Sequence, residues 1–180
     1  DYVGMPLRDG LSFVHNALVG IGVRDKVRIG ASGKITSAFD MARVLALGAD
    51  WCNAARGFMF AVGCIQAQSC HTGACPTGVA TQDPLRQRAI VVPDKAERVA
   101  SFHRNTLHAL AELVAAAGLS HPSDLRPHHF LRRASSDKVI SLAEQYEQLA
   151  SGQLAADPNS SPRFAEAWAH STADSFARAG

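Results

Sequence analysis

The chain has 180 residues, of which 47% are hydrophobic and 19% charged, and its formal net charge is +2. This composition is typical of a globular protein and excludes wholesale disorder. The near-neutral charge and the scattered lysines and arginines argue against nucleic acid as a partner. No apolar run approaches the ~20 residues of a membrane-spanning helix. The N-terminus lacks both an initiating Met and a secretory signal, so we expect a processed or truncated piece of a cytoplasmic protein.

The first half of the sequence alternates between helical and strand-like patterns. Apolar side chains at helical spacing predict helices over residues 10–22 and 36–47, the second of them capped by Thr36 or Ser37. Residues 26–31 and 49–54 are strand-like, and a third helix is predicted from residue 56 to residue 63. Such alternation with short links favours a parallel sheet covered by helices, the α/β class.

Two strands cannot form a closed sheet on their own. A (β/α)₈ TIM barrel needs about 250 residues, and no further strand-like run follows position 90. We therefore expect residues 1–92 to be the C-terminal part of such a barrel, contributing its last two strands, with an α-helical extension over 93–150. The other strands are expected upstream. A piece with an unpaired sheet edge and exposed apolar surface is not expected to fold by itself.

The extension is predicted to contain one long helix and two shorter ones. The long helix covers residues 94–117 and begins with Asp94 in a capping box. The shorter helices are predicted from Pro122 and over residues 137–149. Residues 151–180 are richer in Gly, Asn, Ser and Pro, which predicts a linker and a poorly ordered tail. For the final stretch, from residue 164 on, a weak amphipathic helix is the alternative.

Two loops at predicted strand ends have the features of a phosphate site. Ser32, Gly33 and Lys34 follow the first strand and open a helix, where small residues and unpaired N–H groups let an anion approach closely. The second strand ends at Ala55 and Arg56, which can do the same. In barrels the loops after the seventh and eighth strands often share one phosphate site. The alternative is an ordinary turn with a solvated Lys34.

Three cysteines, Cys64, Cys70 and Cys75, lie within one short segment. A loop so compact can turn three thiolates toward one point, as an iron–sulfur cluster or a zinc ion requires. No C-x-x-C pair is present. His71 adjoins Cys70 and Cys52 lies in a strand, so neither is a favourable fourth ligand. Iron–sulfur ligation is favoured, and zinc ligation or structural free thiols are the alternatives.

At these residues the sequence resembles a known family. The segments ASGKITSAFD, LALGADWCNAARG and GCIQAQSCHTGACPTGVATQDP are similar to the FMN-binding (synthase) domain of glutamate synthase, above all to its stand-alone branch. The resemblance covers roughly residues 1–150. The cysteine spacing, followed by Pro and Gly-Val, is its most specific part.

The resemblance implies a (β/α)₈ barrel that holds FMN close to a [3Fe–4S] cluster. Cys64, Cys70 and Cys75 are then the cluster ligands. The two loops, Ser32 to Lys34 and Ala55 to Arg56, are then the segments that hold the FMN phosphate. The larger glutamate synthases have Gly-Gly in the first loop and Gly-Thr in the second, so this chain differs there, and Arg56 adds a positive charge.

The activity implied by the resemblance is the reductive formation of L-glutamate. Ammonia, usually from glutamine, condenses with 2-oxoglutarate, and reduced FMN reduces the resulting imine with electrons relayed by the cluster. The implied electron donor is ferredoxin or an NAD(P)H-linked subunit, and an oligomer is compatible with the family. Catalytic residues are expected upstream, so none is assigned here.

Two alternatives remain open. A related FMN and iron–sulfur oxidoreductase acting on a different amino acid would have the same fold. A non-enzymatic, zinc-stapled interaction module would use the cysteines differently.

Overall fold

The computed structural model describes residues 4–175. The chain divides into two compact units that are each discontinuous in sequence. Unit 1 comprises the described parts of Asp1–Ala31, Ala46–Trp51 and Arg126–Gly180, and unit 2 comprises Ser32–Leu45 and Cys52–Leu125. The domain boundaries expected at residues 92 and 150 stay predictions.

The alternation of helices and strands predicted for the first half is confirmed. The elements are α1 (Leu7–Gly20), β1 (Gly30–Ser32), α2 (Ala38–Ala46), β2 (Trp51–Asn53) and α3 (Ala55–Val62). Strands β1 and β2 are neighbours in a two-stranded sheet. This mixture of helices with a small sheet is consistent with the α/β class.

The first strand is shorter than predicted because Arg24 fixes the preceding residues in a turn. Residues Arg24–Lys26 form a 3₁₀ turn, and the strand begins only at Gly30. The Arg24 guanidinium donates to the Gly48 carbonyl at 2.7 Å and to Asp50 Oδ2 at 2.8 Å. Its Nε donates to His15 Nδ1 at 3.0 Å. Arg24 thus connects α1 to the segment that leads into β2.

We expect His15 to make unit 1 less stable in mild acid. Burial, followed by the charge of Arg24, lowers the pKa of His15, and Arg126 acts in the same direction. The bond to Gly48 and the charge of Asp50 raise it, without reversing the net direction. The unfolded chain therefore binds a proton more readily than the folded one, so this contribution to stability is complete above about pH 6.5 and is lost as the pH falls below it.

The corresponding measurement is the free energy of unfolding between about pH 7 and pH 5. It is expected to fall across this window in the unchanged protein and to fall less in the variant His15→Gln, which cannot take up the proton. Equal slopes in the two proteins would contradict the prediction.

The second half contains two strands that the sequence analysis did not expect. Its elements are α4 (Pro84–Gln87), α5 (Val92–Ala116), β3 (Leu131–Arg133), β4 (Val139–Ser141), α6 (Leu142–Gln145), α7 (Gln153–Ala156) and α8 (Pro162–Ala169). The prediction of no strand after position 90 is therefore wrong. No described helix is both long enough and apolar enough to cross a membrane.

The helix predicted over 137–149 is largely replaced by a hairpin. Strand β4 pairs antiparallel with β3, with Arg132 opposite Ile140. The Ser141 hydroxyl accepts from the Glu144 N–H at 3.1 Å, and the Glu144 carboxylate accepts from the Ser141 N–H. This capping box starts the helix only at residue 142. The two β-branched residues before it, Val139 and Ile140, favour the strand.

The long helix α5 is confirmed, but its start differs from the prediction. It begins at Val92, with Val91 at the cap position and no side-chain cap. Asp94 lies in the first turn and not at the cap. Position 93 is a proline. Proline is favoured in the first turn of a helix, where its missing N–H would have no partner within the helix, and this explains the earlier start. The turn predicted at Pro122 is a 3₁₀ turn, Pro122–Asp124.

The described part of the tail is helical and packed, so the prediction of a poorly ordered segment is wrong there, and α8 agrees with the alternative of an amphipathic helix. Leu154 is 1% exposed and Phe164 is 3% exposed, and both pack with Leu149. The ring of Phe13, on α1, stacks on Phe164 with centroids 4.8 Å apart. Residues 176–180 lie outside the described part of the chain. These few apolar residues anchor α7 and α8 although the surrounding composition is that of a linker.

A buried amide joins α1 to the same C-terminal segment. Asn16 is 3% exposed; its Oδ1 accepts from the Leu149 N–H at 2.9 Å, and its Nδ2 donates to the Ser12 carbonyl at 2.8 Å. Buried polar groups are stable only when they are hydrogen-bonded. Asn16 therefore fixes how the segment around Leu149 lies on α1.

In unit 2, α3 packs closely against α5. A Cβ atom added at Gly57 would lie 2.9 Å from the Phe102 ring, and Phe58 meets Phe102 edge to face with ring centroids 5.4 Å apart. Only glycine allows this approach. The packing fixes α3, which carries the second predicted phosphate loop at its start and leads into the cysteine segment at its end.

Candidate functional site

The first predicted phosphate loop is an exposed turn between two buried residues. Ser32, Gly33 and Lys34 are exposed, whereas Ala31 and Ile35 on either side are buried. Lys34 has a φ of +53°, a left-handed conformation that is uncommon for residues other than glycine. Such conformations are concentrated at ligand-binding loops.

The start of α2, which follows this loop, is capped by a carboxylate. Asp40 Oδ2 accepts from the backbone N–H groups of Thr36 and Ser37 at 3.3 and 3.2 Å. The Ser37 hydroxyl accepts in turn from the Asp40 N–H, which confirms Ser37 as a cap. Burial raises the pKa of Asp40, but the bonds from Ser37 and Thr36 and the charge of Arg43 outweigh it and lower the pKa overall. An anion at this loop must therefore use N–H groups that precede Thr36.

The second predicted loop forms the first turn of α3, and there the helix start is open. Ala55 and Arg56 are the first two residues of α3, and Ala54 at the cap position makes no side-chain cap bond within the described chain. The N–H groups at this end are therefore available, and the helix dipole favours an anion there.

The two loops lie close together in unit 2. A Cβ atom added at Gly57 would lie 3.6 Å from Thr36 Cα, so the start of α3 is adjacent to the end of the first loop. The structure therefore brings the two predicted phosphate loops to one place.

An open cleft of about 220 Å³ lies between α3 and the cysteine segment. Seven residues line it: Arg56, Met59, Phe60, Cys64, Gln66, Gln68 and Cys70. The first three are spaced i, i+3 and i+4, which places them on one face of α3. The cleft therefore joins a residue of the second phosphate loop to two of the three predicted metal ligands.

Local backbone geometry turns the cysteine segment around this cleft. Gly63 ends α3 with a φ of +122°, and Cys64 follows it directly. Gln66 and Gln68 have φ values of +58° and +55°, and Cys70 then opens a 3₁₀ turn. The two left-handed residues thus lie between Cys64 and Cys70, and all four residues line the cleft.

Cys75 is buried and held in a setting that favours its thiolate. The Thr77 hydroxyl lies 3.4 Å from its Sγ. This hydroxyl, followed by the backbone N–H groups of Ala80, Thr77 and Val79, lowers the pKa of Cys75 to about 7, against the effect of burial. The thiolate is the form of cysteine that binds metals.

Two of the predicted ligands, Cys64 and Cys70, line the cleft, and the third, Cys75, does not. Within the described residues, no three His, Cys, Asp or Glu side chains are grouped closely enough to hold one metal ion. The donor set still suits an iron–sulfur cluster, because it consists of soft thiols on one segment and one of them is stabilised as a thiolate. Burial raises the pKa of Cys52. Cys52, His71 and Cys75 are all absent from the cleft lining.

Three residues of the site were not identified from the sequence. One of them is Asp40, although the Ser-x-x-Asp spacing of Ser37 and Asp40 is a capping signal from which its role could have been predicted. Gln66 and Gln68 were not assigned a role, because nothing in a sequence indicates that a glutamine will adopt a left-handed backbone conformation.

Comparisons with known proteins agree on one family. Residues 1–120 match the family model described as the conserved region in glutamate synthase. The glutamate synthase large subunit-like protein YerD of Bacillus subtilis (strain 168) is 40% identical over 151 residues, which cover 84% of this chain and 29% of YerD. The archaeal glutamate synthase (NADPH) of Methanocaldococcus jannaschii is 35% identical over 126 residues, 70% of this chain and 25% of the relative.

A ferredoxin-dependent enzyme is also similar. The ferredoxin-dependent glutamate synthase of Pyropia yezoensis is 32% identical over 137 residues, which cover 76% of this chain and 9% of that protein. The chain thus spans less than a third of the length of each relative described here.

Proposed function

Since the chain belongs to the glutamate synthase family, we propose that it is the cofactor-carrying, C-terminal part of an FMN-dependent glutamate synthase. In this proposal β1 and β2 are the last two strands of a (β/α)₈ barrel, and the α-helical segment after residue 92 is its extension. The enzyme forms L-glutamate from 2-oxoglutarate and ammonia released from glutamine. Its location is the cytoplasm, where thiols stay reduced.

The electron donor in this proposal is ferredoxin or an NAD(P)H-linked subunit. Relatives carrying NADPH or ferredoxin in their names support both choices.

The FMN phosphate is assigned to the two adjacent loops. The backbone of Ser32, Gly33 and Lys34 approaches from one side, and the open first turn of α3, Ala55 and Arg56, from the other. The proximity of Gly57 to Thr36 supports a shared site. Because Asp40 takes the N–H groups of Thr36 and Ser37, the donors at the start of α3 are the main ones left for the phosphate.

The metal site is assigned to Cys64, Cys70 and Cys75, which would hold a [3Fe–4S] cluster. When bound, FMN and the cluster supply hydride transfer and a relay of single electrons. The protein contributes three thiols on one turned segment, and hydrogen bonds that favour the thiolate form of Cys75. The observation that carries the proposal is the cleft that joins Arg56 of the second phosphate loop to Cys64 and Cys70.

We expect each serine substitution at Cys64, Cys70 or Cys75 to remove most of the iron and acid-labile sulfide from the full-length enzyme. Serine lacks the soft sulfur donor that the cluster requires. The matched control is Cys52→Ser, which changes the fourth cysteine of the chain and should leave the iron content unchanged. Iron and sulfide are measured chemically, together with the visible absorption spectrum.

The proposal would be contradicted by unchanged iron in all three variants. Zinc in place of iron and sulfide in the unchanged protein would instead favour the interaction module. Loss of iron with retention of FMN, in contrast, is the expected pattern, since neither phosphate loop contains a cysteine.

A further inference from the structure

The hydrogen bonds of the β3–β4 hairpin, in unit 1, show which of its backbone groups face outward. Two residue pairs at its ends are hydrogen-bonded: the Leu142 N–H donates to the Phe130 carbonyl at 2.9 Å, and the Ala134 N–H donates to the Lys138 carbonyl at 2.8 Å. Hydrogen-bonded and non-hydrogen-bonded pairs alternate along an antiparallel ladder. The pairs immediately inside these two are therefore of the non-hydrogen-bonded kind.

These inner pairs leave one edge of the hairpin open. They are Leu131 with Ser141 and Arg133 with Val139, so their backbone N–H and C=O groups point to the outer edges. On β4 the Ser141 N–H is already bonded to the Glu144 carboxylate at 3.1 Å, which closes that end of the β4 edge. On β3, neither Leu131 nor Arg133 has a backbone hydrogen bond outside the hairpin within the described residues.

We propose that the outer edge of β3 binds an extended, acidic segment of a partner protein as a third strand. An exposed edge strand offers unpaired N–H and C=O groups to an added strand, and the side chains beside the edge determine which strand is accepted. This surface lies in unit 1 and uses no residue of the FMN and metal sites, so the inference goes beyond the proposed function.

The charges along this edge identify the partner as acidic. Arg132 and Arg133 are exposed, and they donate to the side-chain oxygen of Gln145 at 3.1 Å and to a backbone carbonyl at 3.0 Å. Neither arginine forms an ion pair with any residue from 4 to 175. The acidic residue of the hairpin, Asp137, is bonded to the Ser135 hydroxyl at 2.7 Å. A carboxylate of a partner supplies the counter-charge that the two guanidinium groups lack.

The same charges argue against a second copy of this chain as the occupant. Two β3 edges paired with each other would bring the arginines of one copy next to those of the other, and like charges on paired strands are destabilising. Charged side chains on an edge strand are a common means of preventing self-association. The arginines therefore disfavour self-pairing and favour an acidic strand.

The three residues of β3 also indicate the order of side chains in the partner. Side chains alternate between the two faces of a strand, so Leu131 and Arg133 lie on one face and Arg132 on the other. Leu131 is 69% exposed and offers an apolar contact. Antiparallel pairing is the commoner kind. In that direction the matching segment reads acidic, acidic, apolar from its N-terminal end.

The test uses a fluorescent, terminally blocked peptide of sequence Thr-Glu-Glu-Val-Thr and the full-length holoenzyme. Binding is measured by fluorescence anisotropy. The charge control has lysine in place of both glutamates, and the backbone control has methylated nitrogens at the first glutamate and the valine, whose N–H groups face β3. The acidic peptide is expected to bind, and more weakly at high salt. Both controls should bind at least about tenfold more weakly.

A proline at residue 131 tests the edge from the side of the protein. The Leu131 N–H points outward, and Phe130 before it has φ −111° and ψ 122°, a conformation that suits the residue before a proline. Leu131→Pro therefore removes an outer donor and keeps the bonds between β3 and β4. It is expected to weaken binding of the acidic peptide by at least about tenfold, whereas the matched control Leu131→Val, which keeps the N–H, should change it by less than about twofold.

Charge reversal provides a second reading if Leu131→Pro folds poorly. The double variant Arg132→Glu, Arg133→Glu should also bind the acidic peptide at least about tenfold more weakly, because attraction is replaced by repulsion. The same variant should bind the lysine peptide more tightly than the unchanged protein does.

Three results would overturn the inference. Failure of the full-length enzyme to bind the acidic peptide would mean that the edge is covered by another part of the longer chain or accepts no strand. Equal binding of the acidic and lysine peptides would exclude selection by charge. Equal binding of the acidic peptide and its methylated form would mean that the arginines attract anions without strand pairing.

Discussion

Replacement of Gly78 by alanine is expected to destabilise the protein by about 2–5 kcal/mol and to reduce its iron content. Gly78 has a φ of +76°, and a Cβ atom there would collide with the backbone carbonyl oxygen of Arg86. A backbone atom cannot move aside as a flexible side chain can. The segment from Cys75 to Ala80, whose N–H groups hold the Cys75 thiolate, must therefore shift.

The matched control for Gly78 lies in the same loop. Gly73 has a φ of +73°, but no atom lies within 4 Å of an added Cβ. Gly73→Ala therefore incurs only the backbone cost of about 1–2 kcal/mol. Denaturant unfolding and iron analysis of the two variants separate the steric effect from the conformational one. Equal losses in the two variants would contradict the steric argument.

Truncation of Leu154 to alanine is expected to cost about 2–5 kcal/mol, because the side chain fills the core between α1 and the C-terminal helices. Gly20, on α1, lies directly against it: a Cβ atom at Gly20 would be 2.6 Å from Leu154 Cδ1. Gly20→Ala alone should therefore also destabilise, by about 1–3 kcal/mol from overpacking.

The two changes should compensate for each other when they are combined. Leu154→Ala leaves a space next to residue 20, and the methyl group added by Gly20→Ala can occupy that space. The double variant should therefore lose less stability than the sum of the losses in the two single variants. Leu85→Ala, at a side chain that is 71% exposed, is the control and should change stability by less than about 0.5 kcal/mol. Strictly additive losses at residues 20 and 154 would contradict the contact.

The helices of the first half and the long helix α5 could be predicted because their apolar residues recur at helical spacing over two or more turns. Glycines at positions 48 and 118 mark two of the ends. The start of β1 was predicted too early because Arg24 bonds to His15, Gly48 and Asp50. A local sequence pattern cannot indicate hydrogen-bond partners such as Gly48 and Asp50, which lie more than twenty residues from Arg24.

The hairpin and the ordered tail were missed for a related reason. Strands β3 and β4 have only three residues each, too few for an alternating pattern to emerge. Leu154 and Phe164 are isolated apolar residues in a polar stretch, and their burial depends on Phe13 near the other end of the chain. Sequence composition describes the neighbours along the chain, whereas burial depends on neighbours in space.

The loops of the candidate site were predicted from residue types, since glycines, strand ends and clustered thiols are local features. Their arrangement was not. The cleft is lined by Gln66 and Gln68, whose backbone is one that glutamine seldom adopts, and by α3, whose close packing against α5 requires Gly57. The proposed sharing of one cleft by Arg56, Cys64 and Cys70 could therefore be inferred only from the structure.

The hydrogen bond between Asn16 and the Leu149 N–H joins residues that are 133 positions apart. On a ribosome that adds about 5–20 residues per second, Leu149 is synthesised on the order of 10 s after Asn16 on α1. Until then the surface that Leu154 and Phe164 will cover is open to other chains. Nascent protein of this kind is a natural client for chaperones, and a stop codon before residue 149 would leave that surface permanently bare.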